Sequence, residues 1–197
     1  MRDEARPMPA GAAAGVASAQ IAPLKELKDY KVASDDPDVR GWKVLARDGR
    51  PIGDVHDLLV DTAAMRVRYL DVEIDRDLLA SVPPVPGMAH HGALMEHRHV
   101  LVPIGTAHLD EDHDRVLIES LDSGDVAVLP AYDHHAFSRD YENGVRQRWD
   151  RTCAPPHAPA GTAGAVGTPA GDYYASDIYN DERFYGPRRK KRGLFGR

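Results

Sequence analysis

Residues 65–75, which read MRVRYLDVEID, contain the clearest strand pattern in the sequence. The second half of this stretch alternates larger apolar side chains with acidic ones, in the order Leu70, Asp71, Val72, Glu73, Ile74, Asp75. Alternation with a period of two is typical of a β-strand that buries one face and exposes the other to solvent. The sequence therefore predicts a strand here, with its acidic face in water.

Short apolar runs, separated by turn residues, lie on either side of this strand. They predict four more strands, over residues 42–46, 52–60, 99–104 and 115–118. Asp48-Gly49 separates the first two and favours a tight hairpin turn, while Gly53 indicates a bulge or a close backbone approach. Short strands without long helices between them predict a mainly β fold, a small antiparallel barrel over residues 24–133.

Composition divides the rest of the chain into extensions. Residues 1–23 are predicted to be a flexible arm, and residues 76–98, rich in Pro and Gly, a long loop inserted in the barrel. Residues 134–151 form a polar extension. In residues 152–171, 17 of the 20 are Ala, Pro, Gly or Thr, which is too little bulky apolar surface to offset the entropy of ordering. Residues 152–197 are therefore predicted to be a disordered linker and tail.

Charge is distributed unevenly along the 197 residues, whose formal net charge is −6. The last ten residues contain six Lys or Arg and no acid, so that residues 1–187 carry a formal charge of −12. An acidic body does not suit nucleic-acid binding. The basic end predicts contact with an anionic membrane surface or another anionic partner, through Arg188, Arg189, Lys190, Lys191, Arg192 and Phe195. The same end would suit RNA phosphates, or it would simply be solvated.

The sequence contains no nucleophile motif, phosphate-binding Gly loop or dinucleotide fingerprint, so we expect no enzyme and no catalytic residue. A single cysteine, Cys153, excludes an intrachain disulfide framework. His97 and His99 would share one face of a strand, a geometry that suits a metal ion or a proton relay. A third ligand at a fixed spacing is missing from the sequence pattern, so no metal site is predicted.

Five segments together resemble a known family. They are residues 31–42, 53–55, 57–61, 67–73 and 100–104, which read KVASDDPDVRGW, GDV, DLLVD, VRYLDVE and VLVPI. In this order they are similar to a PRC-barrel domain, and more narrowly to the cytoplasmic domain of the H subunit of purple-bacterial photosynthetic reaction centres. The resemblance covers residues 24–133.

The resemblance implies a non-enzymatic cytoplasmic subunit on the inner face of the inner membrane. It would cap and stabilise a reaction centre and support electron or proton transfer to quinone. It would bind no cofactor itself, whereas its partner complex would carry bacteriochlorophyll and quinone. The implied interface or proton-path residues are Trp42, Asp61, Arg68, Tyr69, Asp71 and Glu73. For Asp61 and Arg68, an ordinary cross-strand pair is the alternative.

The chain departs from the family pattern in three places. No transmembrane helix precedes the barrel, so a separate H-type chain with that helix becomes an expected partner. The upstream histidines that serve proton entry in the family have no counterpart between Ala10 and Asp29, and Ala64 stands where a carboxylate is common. The alternative function is a soluble PRC-barrel adaptor in RNA or ribosome maturation or in a stress response.

Overall fold

The strands dominate the computed structural model, which describes residues 21–81, 97–153 and 170–186. The described residues contain seven strands: β1 Ile21–Pro23, β2 Lys43–Ala46, β3 Pro51–Asp61, β4 Arg66–Ile74, β5 His99–Pro103, β6 His108–Asp110 and β7 Arg115–Ile118. They also contain three α-helices: α1 Arg76–Ser81, α2 Arg139–Cys153 and α3 Asp181–Tyr185. The five predicted strands are confirmed, each to within two residues at its ends.

The seven strands form one mixed sheet in the order β5-β4-β3-β2-β7-β6, with β1 paired to β3 beside β2. The prediction of an all-antiparallel arrangement is wrong, because β2 and β7 run parallel, with Val44 opposite Val116. A closed barrel is not confirmed: no pairing between β5 and β6 joins the ends of the described sheet. Instead, the free edge of β5 is bridged by Ala131, which lies opposite Val100.

Two glycines explain local features of the sheet. Gly49 has φ +74° in the hairpin turn between β2 and β3, which confirms the predicted Asp-Gly turn. A Cβ atom on Gly53 would lie 2.0 Å from the backbone oxygen of Glu73. The predicted close backbone approach at Gly53 is therefore confirmed, since only a residue without Cβ lets β3 and β4 approach this closely.

Both faces of β4 are largely covered. Leu70 and Val72 are fully buried on one face, as predicted, but Tyr69 and Asp71 on the other face are 0% and 4% exposed. The predicted solvent-exposed face is wrong at Asp71, because segments after the sheet pack over it. Helix α2 is anchored there by Trp149, whose indole N–H donates to the carbonyl of Leu101 in β5 at 3.0 Å.

The C-terminal aromatic residues are not part of a disordered tail, which corrects that part of the prediction. Short 3-10 turns at Ala170–Ala175 and Asp177–Tyr179 lead into α3, and Tyr179 is 0% exposed. This segment docks on Gly105, where an added Cβ would lie 2.1 Å from the carbonyl oxygen of Asp177. Burying several aromatic rings offsets the entropy of ordering the segment.

Parts of the other predicted extensions form regular secondary structure. Strand β1 lies at the end of the predicted N-terminal arm, α1 begins the predicted inserted loop, and α2 spans most of the polar extension. Residues 1–20, 82–96, 154–169 and 187–197 lie outside the described residues, and with them most of the arm, loop and linker. Within the described part of the chain, no helix is both long and apolar enough to cross a bilayer.

Candidate functional site

The predicted contact between Asp61 and Arg68 is present at the end of the β3–β4 hairpin. Arg68 Nη2 donates to Asp61 Oδ2 at 3.1 Å, and the two side chains are only 11% and 5% exposed. The other oxygen of Asp61 accepts the backbone N–H groups of Ala63 and Ala64, which holds the turn. The Arg68 guanidinium lies 4.6 Å from the ring centre of Tyr174. The pair therefore joins the hairpin to the C-terminal segment.

The other predicted site residues do not form one surface with this pair. Trp42 is half-buried against the core, where its backbone bonds to Val39 and Val55. Tyr69 is fully buried, and so it can support an interface but cannot touch a partner. Asp71 and Glu73 belong to a second group, on the part of β4 farther from the hairpin turn. Their roles in a partner interface or a proton path stay predictions.

Tyr69 is part of a buried polar network around Glu142 of α2. The Tyr69 hydroxyl donates to Glu142 Oε1 at 3.0 Å, and the Tyr174 hydroxyl donates to the same oxygen. The Tyr179 hydroxyl lies 3.3 Å from that of Tyr69. Because Tyr69 has one proton, which Glu142 accepts, Tyr179 is the donor in that contact. The network ties β4, α2 and the C-terminal segment together.

A cation completes this network. Arg139 Nη1 lies 2.8 Å from Glu142 Oε2 as an ion pair, although its N–H is not aligned for a hydrogen bond. Burial raises the pKa of Glu142, against the lowering effects of the Tyr174 hydroxyl and Arg139. Burial also raises the pKa of the Tyr69 hydroxyl well above its usual range. The tyrosines therefore stay protonated and act as donors.

The second group is a cluster of histidines and carboxylates on β3, β4 and β5. His99 Nδ1 lies 2.7 Å from Asp71 Oδ1, and His97 Nδ1 lies 2.7 Å from Glu73 Oε1. His56 Nδ1 is 3.8 Å from the other oxygen of Glu73, and its ring meets that of His99 edge-on at 4.7 Å between centres. The hydrogen bond to Asp71 raises the pKa of His99, whereas the hydrogen bond from His97 lowers the pKa of Glu73. One face of the three adjacent strands thus carries two histidines and two acids, and a third histidine, His97, lies just before β5 and contacts Glu73.

A buried carboxylate lies next to this cluster. Asp57 is opposite Asp71 in the β3–β4 register and is 0% exposed. Its Oδ2 accepts the backbone N–H of Lys25 at 3.3 Å, while its Oδ1 has no hydrogen-bond partner among the described residues. Burial raises the pKa of Asp57. Ionisable groups therefore extend from the buried Asp57, past Asp71 and His99, to the exposed His97.

Sequence reasoning did not identify His56, Asp57 or Glu142 as site residues. The register of β3 on β4 shifts between Val55 and Asp57, so His56 is the extra residue of a β-bulge. A bulge breaks the simple alternation, and no motif in the sequence indicates it. Glu142 lies in a segment whose polar composition hides its burial. The basic residues at the end of the chain, from Arg188 onward, lie outside the described residues.

A comparison with protein families identifies a known domain in the chain. Residues 32–124 match the family model for the PRC-barrel domain. The match includes β2 to β7, the Asp61–Arg68 pair and the histidine–carboxylate cluster, whereas α2 and the C-terminal segment lie beyond it. The Glu142 network therefore joins the matched domain to elements outside it. The chain contains a PRC-barrel domain at residues 32–124.

Proposed function

We propose that this chain is a non-enzymatic structural subunit that caps a membrane protein complex, in the manner of the reaction-centre H subunit. In this proposal it lies peripherally on the cytoplasmic face of the inner membrane, without binding pigment itself. Its partners are the pigment-bearing core subunits and a separate chain with the transmembrane helix. The PRC-barrel domain at residues 32–124 and the resemblance of its motifs to the H subunit support the proposal.

The proposal rests mainly on a series of ionisable side chains that extends across the sheet. Asp57 and Asp71 are buried opposite each other, and Asp71 contacts His99, whose side chain is 20% exposed. Histidine gains and loses its proton near neutral pH. Burial raises the pKa of Asp57, and the hydrogen bond to Asp71 raises that of His99, so both groups hold a proton to a higher pH than they would in water. A cap that supports proton transfer to quinone needs such groups between its solvent side and its partner.

The buried Asp61–Arg68 pair supports the same proposal in a second way. It keeps a hairpin end rigid, because one carboxylate both holds the turn and binds the guanidinium. A rigid hairpin end gives a partner a fixed surface to dock on, at little cost in entropy. The basic end of the chain would add attraction to an anionic leaflet, worth about 1 kcal/mol for each cation near the surface.

Co-purification tests this proposal. The full chain, tagged in its native host, is recovered from membranes in mild detergent, and its partners are identified. We expect pigment-bearing subunits in stoichiometric amounts, and a chain that lacks residues 188–197 should be recovered less well. Recovery in the soluble fraction without pigment would contradict the cap. Salt-sensitive RNA in that fraction would favour the adaptor instead.

A further inference from the structure

Three side chains from three adjacent strands converge on one point of the sheet surface. Glu73 in β4 lies opposite His99 in β5, and His56 comes from the bulge of β3. One ligand atom from each of the three lies within 4.8 Å of those of the other two. We propose that His56, Glu73 and His99 bind one divalent transition-metal ion, with Zn²⁺ as the expected occupant. This site goes beyond the proposed function and does not depend on it.

The spacing suits a small ion. Ligand atoms at about 2.0–2.2 Å from a tetrahedral zinc lie roughly 3.3–3.5 Å from one another. No separation therefore needs to shorten by more than about 1.5 Å, which rotations of partly exposed side chains can supply. The side chains of His56 and Glu73 are 38% and 37% exposed, and that of His99 is 20% exposed. The site is open enough for an ion to enter from solvent.

Asp71 gives independent support for a metal at this point. Its side chain is only 5% exposed, and its Oδ1 lies 2.7 Å from His99 Nδ1. The carboxylate holds the proton on Nδ1, so the neutral ring directs the lone pair of Nε2 away from Asp71. A carboxylate that orients a histidine in this way is the usual second layer of a zinc site. His99 is thus held in the tautomer that a metal ion requires.

The donor set favours zinc over hard cations. Two imidazoles and one carboxylate suit Zn²⁺ and its first-row neighbours, whereas Ca²⁺ and Mg²⁺ prefer oxygen ligands alone. His97 Nδ1 already contacts Glu73 at 2.7 Å, and its side chain is 70% exposed. It is therefore free to turn and provide a fourth ligand. Otherwise, water takes that position.

When no metal ion is bound, the ammonium of Lys25 contacts His56 and favours a tautomer that does not suit metal binding. The ammonium donates to His56 Nε2 at 3.0 Å, which leaves the proton of the neutral ring on Nδ1, facing Glu73. Metal binding through Nδ1 puts the proton on Nε2, and an ammonium cannot accept it. Lys25 is exposed and can move away. The Lys25 ammonium therefore competes with the metal ion for His56, and replacing Lys25 with a neutral residue should raise the affinity for the metal.

Zinc titration of the full chain tests the site, with Zn²⁺ alone as the probe and a chromophoric chelator as competitor. We expect one ion per chain, an affinity at least tenfold lower in Glu73→Gln and His99→Ala, and a higher affinity in Lys25→Met. Glu73→Gln keeps the shape of a half-exposed side chain, so that its effect does not come from loss of folding. Asp71→Asn should weaken binding without removing a ligand.

His134 and His135 provide the matched control, because their rings lie 3.9 Å apart and are both exposed. The double variant His134→Ala/His135→Ala should bind zinc as the wild type does. A second readout is thermal unfolding, in which Zn²⁺ should raise the Tm of the wild type but not that of His99→Ala. The proposal is overturned if no zinc binds, if Glu73→Gln and His99→Ala bind as well as the wild type, or if only the control variant loses the ion.

Discussion

Replacing Glu142 with alanine should destabilise the protein more than any surface change on the same helix. The substitution removes the acceptor of the Tyr69 and Tyr174 hydroxyls and the counter-charge of Arg139. Each hydrogen bond to a charged group is worth about 1.5–3 kcal/mol, and breaking a buried charge pair from one side costs about 3–5 kcal/mol. Burial of the carboxylate, which raises the pKa of Glu142, offsets part of this. We expect a net loss of about 3–4 kcal/mol.

Urea unfolding, followed by circular dichroism, measures this loss as a change in the free energy of unfolding. Glu142→Gln keeps an oxygen for the hydroxyls and should lose only about 1–2 kcal/mol. Gln147→Ala is the control, since Gln147 is exposed on α2, and it should stay within about 0.5 kcal/mol of the wild type. A loss below about 1 kcal/mol in Glu142→Ala would contradict this prediction, because the buried hydroxyls would then have found other partners.

The same residue predicts a pH dependence. The pKa of Glu142 is raised in the folded protein, so between its unfolded value and its folded value the native state binds more protons than the unfolded state. The contribution of Glu142 to stability should therefore fall as the pH rises above the ordinary glutamate pKa of 4.5. Unfolding free energies of the wild type and Glu142→Gln, compared at several pH values, measure this effect. A difference that stays constant, or that favours the wild type as pH rises, would contradict the direction.

Two further substitutions, each with a control, test the docking of the C-terminal segment on Gly105 and the buried Asp61–Arg68 ion pair. Gly105→Ala should destabilise the protein by about 1–3 kcal/mol and speed proteolysis of residues 170–186, because a Cβ has no room against the docked backbone. The control Gly144→Ala, in open space on α2, should instead stabilise the protein by about 0.5–1 kcal/mol. Equal effects of the two substitutions would contradict the packing of the C-terminal segment on Gly105. Asp61→Asn should cost about 3–5 kcal/mol by leaving the buried Arg68 without its counter-charge. Lys43→Met, at an exposed ion pair, should cost less than about 1 kcal/mol.

Alternation placed β4, and short apolar runs bounded by turn residues placed β2, β3, β5 and β7. The hairpin turn between β2 and β3 followed from the Asp48-Gly49 dipeptide, whose Gly49 has φ +74°. The strands β1 and β6 are only three residues long, which is too short for a period to appear. The parallel pairing of β2 with β7 depends on contacts between residues far apart in the chain, which a local pattern does not contain.

The candidate site was predictable only in part, for similar reasons. Asp61 and Arg68 could be paired because they flank one hairpin turn, and their contact is local in sequence. His56 could not be joined to Glu73 and His99, because a bulge turns it toward them and because β5 lies beyond a long insertion. The burial of Asp71 depends on segments that follow the sheet, and so an acidic residue in an alternating strand was expected to face water.

The molar ratio of bacteriochlorophyll to tagged chain, after purification from membranes in mild detergent, tests whether the chain caps a reaction centre. If the chain caps a reaction centre, the ratio should stay constant through successive purification steps and the pigment subunits should be present in equal amounts. A chain recovered free of pigment, from membranes that contain intact reaction centres, would contradict the proposed function. The PRC-barrel domain would then serve another partner.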